Sequence, residues 1–150
     1  MLHSRPNFSF HEGDITSPDD IISCLHQHNI DTIIHLAALS NVDFSFKDPA
    51  SFAATNIVGT QILLDCAKAC GVRKFLQMSS YEAYGATKPG PNGYRETDAL
   101  LPKNPYGGGK AAAEMLVTAF GHCNTLDTII VRANNIYGPN QFPDSACSLF

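Results

Sequence analysis

Three short apolar runs, separated by helical patterns, are the feature that most restricts how this chain can fold. The runs are DTIIHLAA at 31–38, RKFLQMSS at 73–80 and DTIIVRA at 127–133. They read as nearly continuous apolar stretches, which is typical of strands buried in a parallel sheet. Because these strands alternate with helices, the pattern predicts an α/β fold: a doubly wound parallel sheet with helices on both faces.

The helical patterns between the strands have recognisable starts and stops. Ser17 and Asn104 can cap the first and last helices, and Gly71 and Gly121 come just after helix ends. Apolar residues recur at helical spacing within each segment. The predicted helices cover residues 17–28, 48–69 and 105 to about 120.

Composition excludes several classes of protein. The chain has 150 residues, a net charge of −4 and no basic cluster, so nothing favours nucleic acid or an anionic membrane as a partner. No apolar run approaches the roughly 20 residues that span a bilayer, and residues 1–20 lack the apolar core of a signal peptide. The five cysteines form no CxxC motif, so we expect neither a disulfide framework nor a metal site, and we expect a cytoplasmic location.

The segment NPYGGGK at 104–110 places three glycines where a helix should begin. Tyr106 and Lys110 lie four residues apart and share one helix face, so a phenol and an ammonium point the same way. A nearby cation lowers a tyrosine pKa, which makes Tyr106 a candidate general base. Glycines beside it would let a cofactor or a backbone approach closely. The alternative is a loose helix entry with an exposed Tyr–Lys pair.

Six segments, in order along the chain, resemble motifs of one enzyme family. They are GDI at 13–15, HLAALSNVD at 35–43, TNIVGTQILLDCA at 55–67, SSYEAYG at 79–85, NPYGGGKAAAE at 104–114 and RANNIYGPNQFP at 132–143. With them the chain resembles the extended short-chain dehydrogenase/reductases, and among these the nucleotide-sugar 4,6-dehydratases. The resemblance implies a Rossmann-type fold, NAD as cofactor and a nucleoside-diphosphate sugar, such as dTDP- or UDP-glucose, as substrate.

The resemblance also assigns catalytic roles. Tyr106 would take the proton from the sugar C4 hydroxyl, while Lys110 would hold the nicotinamide ribose and lower the pKa of Tyr106. Ser80 stands where the family has the Ser or Thr that hydrogen-bonds the C4 oxygen. Glu82 matches the base that removes the C5 proton.

Binding residues follow from the same resemblance. Tyr106 and Lys110 would also contact the cofactor. The further cofactor residues are Asp14, Ile15, Leu36, Ala37, Ala38 and Thr55, and the substrate residues are Ser40, Asn56 and Asn135. Simpler interpretations stay open: Ser79 or Ser80 could cap the following turn, and Asn134 or Asn135 could satisfy loop backbone.

One residue departs from the dehydratase pattern at a catalytic position. Tyr81 stands where the dehydratases have the aspartate that protonates the departing C6 hydroxyl, and a phenol is a far weaker acid than a carboxylic acid. Leu39 and Asn41 also differ from the usual residues. These departures leave two alternatives: a nucleotide-sugar 4-epimerase or another extended short-chain dehydrogenase/reductase, and a non-catalytic Rossmann module.

The expected glycine-rich turn does not occur in the sequence. A dinucleotide-binding fold starts with a strand, this turn and a helix, yet no GxGxxG or GxxGxxG is found. NFSFHEGDI at 7–15 resembles the third strand of the family. We therefore interpret residues 1–150 as the central part of an NAD(P)-binding Rossmann domain without its first βαβ unit and substrate lobe. From this chain alone we expect weak or no cofactor binding and no turnover, and from a full-length protein a homodimer.

Overall fold

A three-stranded parallel sheet forms the centre of the structure, a computed structural model that describes residues 5–85, 93–123 and 126–139. The strands are β1 (Thr32–His35), β2 (Lys74–Ser80) and β3 (Asp127–Ala133), and β2 lies between the other two. All three predicted strands are present. β1 is shorter than predicted because its pairing with β2 ends at His35, opposite Gln77.

Helices connect the strands. They are α1 (Pro18–Gln27), α2 (Val42–Lys47), α3 (Pro49–Ala53), α4 (Gly59–Ala69) and α5 (Pro105–Cys123), with a π-helical turn at Ala54–Val58 and a 3₁₀ turn at Tyr81–Ala83. The predicted helix at 48–69 is divided by the π-helical turn, and α2 was not predicted although Asn41 caps it through Phe44 N. Gly121 does not end α5, which continues to Cys123. None of the helices described is long and apolar enough to cross a membrane.

One face of the sheet carries the core. Ile33 of β1 and Phe75 of β2 pair side by side, and both are buried under α1, α4 and α5. Fully buried residues of two helices, Leu64 and Val117, complete the contact. Burying such a side chain contributes about 1.5–3 kcal/mol, so this single layer accounts for much of the stability of the described fold. It also fixes where α5 crosses the strand ends.

The opposite face of the sheet is apolar but exposed. Ile34 pairs with Leu76, which pairs with Ile129, so these side chains form a row across all three strands. Ile34 is 62% exposed and Ile129 is 49% exposed. Within the described residues, the helices therefore cover one face of the Rossmann-type sheet.

Residues 7–15 differ from the prediction of a third strand. The structure has no strand there, and the segment ends in a turn in which Asp14 O accepts a hydrogen bond from Ser17 N at 3.0 Å. A strand is stabilised by its ladder partner, and in the described residues β1 is an edge of the sheet. Residues 7–15 do not pair with that edge in the described structure.

Candidate active site

A cleft of about 500 Å³ opens where the carboxyl ends of the strands meet the start of α5. This is the expected position for a site in an open α/β sheet. The predicted residues that line it are Leu36, Ala38, Ser40, Ser80, Tyr81, Glu82, Tyr106, Lys110 and Asn135. The other lining residues are Asn41, Val42, Met78, Ser79, Ala133, Asn134 and Ile136. The structure thus brings together every predicted catalytic residue.

The three glycines at the start of α5 have different surroundings. A Cβ on Gly107 would lie 2.5 Å from the carbonyl oxygen of Glu82, so the helix and the 3₁₀ turn touch backbone to backbone. A Cβ on Gly109 would meet Asn56 at 3.5 Å. A Cβ on Gly108 would meet nothing within 4 Å. Two glycines therefore permit close packing of the chain against itself, and the third leaves open space.

Tyr106 lies beside Ser80 and Glu82 in this cleft. Burial raises the pKa of Tyr106 and the negative charge of Glu82 adds to the rise, while a hydrogen bond with Ser80 lowers it. The net direction is upward, opposite to the prediction from the sequence. That prediction is corrected here because Lys110 is not among the groups that set this pKa, whereas burial favours the neutral phenol.

Lys110 is buried, and its Nζ donates a hydrogen bond to the carbonyl of Met78 at 2.9 Å. Burial lowers the pKa of Lys110. Burial, together with the charge of Lys110, lowers the pKa of nearby His35 to about 4. His35 Nε2 lies 3.1 Å from Thr60 Oγ1, whose own proton goes to Asn56 O at 2.7 Å, so the histidine is the donor. A neutral imidazole therefore lies next to a buried ammonium.

Glu82 is held by its neighbours. Its backbone N donates to Ser80 Oγ at 3.2 Å, so Ser80 does cap this turn while also lining the cleft. Its carboxylate accepts from Asn104 Nδ2 at 2.8 Å. Tyr81 forms a hydrogen bond with the same carboxylate, which raises the pKa of the phenol. The sequence predicted Asn104 only as a helix cap. Its hydrogen bond to Glu82 was not predicted, because the sequence does not show which residue the second end of the amide contacts.

Asn56 was predicted to bind substrate, and its contacts in the structure differ from that prediction. The side chain is buried, with Oδ1 accepting from Leu39 N at 2.9 Å and Nδ2 donating to Leu39 O at 2.8 Å. Both ends of the amide are thus used to hold the loop after β1. Asn56 positions the segment that carries Ala38 and Ser40, and it is not among the residues that line the cleft.

Four other predicted cofactor residues do not line this cleft: Asp14, Ile15, Ala37 and Thr55. Asp14 Oδ1 accepts hydrogen bonds from Thr16 N at 2.8 Å and Thr16 Oγ1 at 2.9 Å, and these bonds lower the pKa of Asp14. The side chain of Ile15 packs against Gly59, where an added Cβ would come within 2.9 Å of it. The predicted roles of these residues stay predictions.

A second polar cluster lies behind the cleft, and the sequence reasoning missed it. We call Ser79, Tyr84, Glu114 and Arg132 the Arg132 cluster, and Ser80, Glu82, Tyr106 and Lys110 the Tyr106 cluster. Arg132 Nη2 pairs with Glu114 Oε2 at 2.7 Å, and Arg132 Nη1 donates to Tyr84 OH at 2.8 Å. Ser79 Oγ donates to Glu114. The available signal was a charged residue within the apolar β3 pattern.

A larger cavity of about 940 Å³ adjoins the cleft at Tyr81, Asn134 and Asn135. It is lined in addition by Tyr84, Tyr94 and Arg132. None of Ser80, Glu82, Tyr106 and Lys110 lines it. The candidate catalytic groups therefore line the smaller cleft, and the 940 Å³ cavity lies beside it.

Comparison with known protein sequences agrees with the motifs. A family model for GDP-mannose 4,6 dehydratase matches residues 1–149. A trifunctional UDP-glucose 4,6-dehydratase/UDP-4-keto-6-deoxy-D-glucose 3,5-epimerase/UDP-4-keto-L-rhamnose-reductase of Arabidopsis thaliana is 46% identical over 149 residues, which are 98% of this chain and 22% of that protein. A dTDP-glucose 4,6-dehydratase of Actinoplanes sp. is 38% identical, and the match covers 97% of this chain and 44% of that protein. The chain thus spans less than half the length of these curated relatives.

Solved structures give the same result. A dTDP-glucose 4,6-dehydratase from Streptomyces venezuelae, solved with NAD, superposes with a TM-score of 0.91 at 34% identity over 99% of this chain and 45% of that one. A UDP-glucose 4-epimerase from Thermus thermophilus, also with NAD, gives 0.89 at 26% identity over 97% of this chain and 47% of that one. The α/β Rossmann-type fold and the resemblance predicted from the sequence are confirmed. The chain belongs to the GDP-mannose 4,6-dehydratase family, within the extended short-chain dehydrogenase/reductases.

Proposed function

We propose that the protein containing this chain catalyses the NAD-dependent 4,6-dehydration of a nucleoside-diphosphate hexose such as dTDP- or UDP-glucose. The observation that carries this proposal is the convergence of Ser80, Glu82, Tyr106 and Lys110 on one cleft at the strand ends. Two acid–base groups of different chemistry, a phenol and a carboxylate, face the same space. A dehydratase needs both, because it removes one proton from oxygen and another from carbon.

The residues of the cleft fit NAD. Lys110 and Tyr106 both line the cleft and share one face of α5. NAD would accept hydride from C4 of the sugar and return it at C6 after water has left. Leu36 and Ala38 offer a small apolar wall to such a ring.

The chain's own groups would handle the protons. In its deprotonated form Tyr106 takes the proton of the C4 hydroxyl, and Ser80 donates a hydrogen bond to the same oxygen. The resulting C4 ketone acidifies the C5 hydrogen, which Glu82 removes as a proton. The C5–H electron pair then forms the C5–C6 double bond, and the C6–O bond breaks. The departing hydroxide takes one proton and leaves as water. When C6 then receives hydride, C5 takes a proton back from Glu82.

Tyr81 stands where that last proton would come from. It lies in the cleft next to Glu82, and its raised pKa makes it a weak acid. The proton that Glu82 has taken is needed again at C5 when C6 is reduced, so a Tyr81 phenolate would recover its proton from solvent. We expect the substitution Tyr81→Asp to raise the rate of water loss without changing C4 oxidation.

A second candidate function is a nucleotide-sugar 4-epimerase. Tyr81 favours it, because epimerisation needs no acid at C6. In that reaction the 4-ketone is reduced again at C4 from the other face. Glu82 would then have no proton to remove.

The test is to incubate the protein containing this chain with NAD and dTDP- or UDP-glucose in D₂O and to follow the sugar by NMR. Dehydration gives a C6 methyl group and deuterium at C5. A C4 epimer without deuterium at C5 would support the epimerase instead. Absence of any turnover, in a protein that binds NAD, would favour a non-catalytic Rossmann module.

The remaining proposals concern the whole protein. Residues 1–150 would be the central part of its NAD(P)-binding domain, with the first βαβ unit and the substrate lobe supplied by other segments. We expect a cytoplasmic homodimer formed through α4 and α5. The resemblance would put this interface around Thr60 and Ala113. Both of these side chains are buried within the chain, so the exposed Val58, just before α4, and Met115 on α5 are the interface candidates. Sedimentation of a Met115→Glu variant would test this.

A further inference from the structure

The side chain of Asn104 joins the start of α5 to the carboxylate of Glu82. Its Oδ1 accepts a hydrogen bond from Gly107 N at 2.7 Å, which caps the helix. Its Nδ2 donates to Glu82 Oε2 at 2.8 Å. Both ends of one amide are therefore occupied, one by the backbone of the Tyr106 helix and the other by the carboxylate.

The orientation of this amide is fixed by its two partners. A backbone N–H needs an acceptor and a carboxylate needs a donor, so rotating the amide by half a turn would mismatch both. The turn that carries Glu82 is also pressed against α5, since Gly107 leaves no room for a Cβ beside Glu82 O. Ser80 Oγ holds the backbone N of Glu82 from the other side. Glu82 is thus fixed at its backbone and at its carboxylate.

Capping alone does not explain an asparagine here. Serine and aspartate are equally good N-caps, because each presents an oxygen to the backbone N–H. Serine has no second group to reach Glu82, and aspartate would present a negative oxygen to a carboxylate. Among these three caps, only asparagine carries an N–H donor on a separate atom from its capping oxygen.

We propose that Asn104 is a positioning residue that sets the carboxylate of Glu82 relative to Tyr106, the base at C4. Its catalytic consequence rests on the proposed function. Because the hydrogen bonds of the Asn104 side chain go to Glu82 and to the backbone of Gly107, loss of the bond to Glu82 acts on proton removal at C5 and spares oxidation at C4. A misplacement of about 1 Å can slow such a step by roughly a hundredfold.

The experiment compares Asn104→Ser, Asn104→Asp and Asn104→Ala in the protein containing this chain. Deuterium entry at C5 measures the action of Glu82, and the appearance of NADH absorbance in a single turnover measures C4 oxidation. We expect Asn104→Ser to unfold at the wild-type urea concentration and to slow C5 exchange about tenfold or more, with C4 oxidation unchanged. Asn104→Asp should slow C5 exchange further, and only Asn104→Ala should lose the cap.

A second measurement does not depend on turnover. The side-chain amide of Asn104, labelled with ¹⁵N, should shift and exchange faster with solvent when Glu82 is replaced by Ala. If this amide does not respond, the contact is absent and the proposal is overturned, whatever the activity. If it responds but Asn104→Ser exchanges C5 at the wild-type rate, the positioning role is overturned. If it responds and the wild type turns over no sugar, the contact stands and the proposed function fails.

Discussion

Ser79 and Ser80 are adjacent in β2, yet they belong to two clusters of similar composition and opposite character. The Arg132 cluster and the Tyr106 cluster each contain a serine, a glutamate, a tyrosine and a cation. Arg132 donates hydrogen bonds to Glu114, Tyr84 OH and the carbonyl of Glu96, and its hydrogen bonds to Glu114 raise its pKa. Lys110 makes a hydrogen bond to Met78 O, although an ammonium has three donors.

The difference teaches how to separate structural from chemical polar groups. A cluster whose donors and acceptors satisfy each other can hold elements together, but it has no capacity left for a ligand. In the Tyr106 cluster, a phenol with a raised pKa, a lysine with a lowered pKa and a held carboxylate all face a cleft. Substitutions should therefore affect stability in one cluster and rate in the other.

The largest expected effect is on rate. Tyr106→Phe removes the general base at C4 but keeps the buried ring. We expect product formation by the protein containing this chain to fall about 10²- to 10⁴-fold, with little change in urea unfolding followed by far-UV circular dichroism. A variant that lost stability but kept its rate would place Tyr106 with the structural residues.

The next effect is on stability. Glu114→Ala leaves the guanidinium of Arg132 without its carboxylate, and removing one partner of a buried pair costs about 3–5 kcal/mol. Asp31→Ala is the matched control: it breaks the Arg73–Asp31 pair, whose side chains are 76% and 59% exposed, and such surface pairs contribute about 0–1 kcal/mol. Equal losses in the two variants would contradict the assignment of the Arg132 cluster as structural.

His35, beside Lys110, should make stability depend on pH. Its pKa falls from 6.5 to about 4 in the folded state, so the unfolded chain binds more protons between these values. Stability should therefore be complete above pH 6.5 and decline as pH falls toward 4, by about 3 kcal/mol for this group. Urea unfolding at several pH values checks this, and the His35→Asn variant should show a shallower decline. If His35→Asn lost stability with falling pH as steeply as the wild type, the loss would come from carboxylates and not from His35.

The smallest effect concerns Gly85, which follows the 3₁₀ turn at Tyr81–Ala83, and its comparison with Gly71 after α4. Gly85 has φ +91° and a Cβ there would lie 2.0 Å from Leu101 O, whereas Gly71 has φ +72° and open space around it. Gly71→Ala should cost about 1 kcal/mol from backbone strain alone. Gly85→Ala should cost more, about 2–3 kcal/mol, because the overlap adds to the strain. The same urea experiment compares them, and equal losses would show that the turn yields freely.

The sequence predicted what depends on local pattern. The strands at 73–80 and 127–133, the cap at Ser17 and the shared helix face of Tyr106 and Lys110 all follow from spacing within a few residues. The pairing of Glu114 with Arg132 could not be predicted, because it depends on where α5 crosses β3. The same holds for Asn56, whose partner Leu39 lies in another element. The direction of the Tyr106 pKa was wrong because burial cannot be read from spacing.

The exposed apolar row on the sheet has a consequence for how this chain is assayed. A hydrophobic reporter dye would bind Ile34, Ile129 and their neighbours in the folded state, so its fluorescence would already be high before unfolding begins. The chain also has no tryptophan, which removes the usual intrinsic signal. A dye-based melting curve on the chain alone would therefore be flat or inverted and easily taken for an unfolded sample. Far-UV circular dichroism, which follows the helices of the described residues directly, is the measurement that would report the real transition.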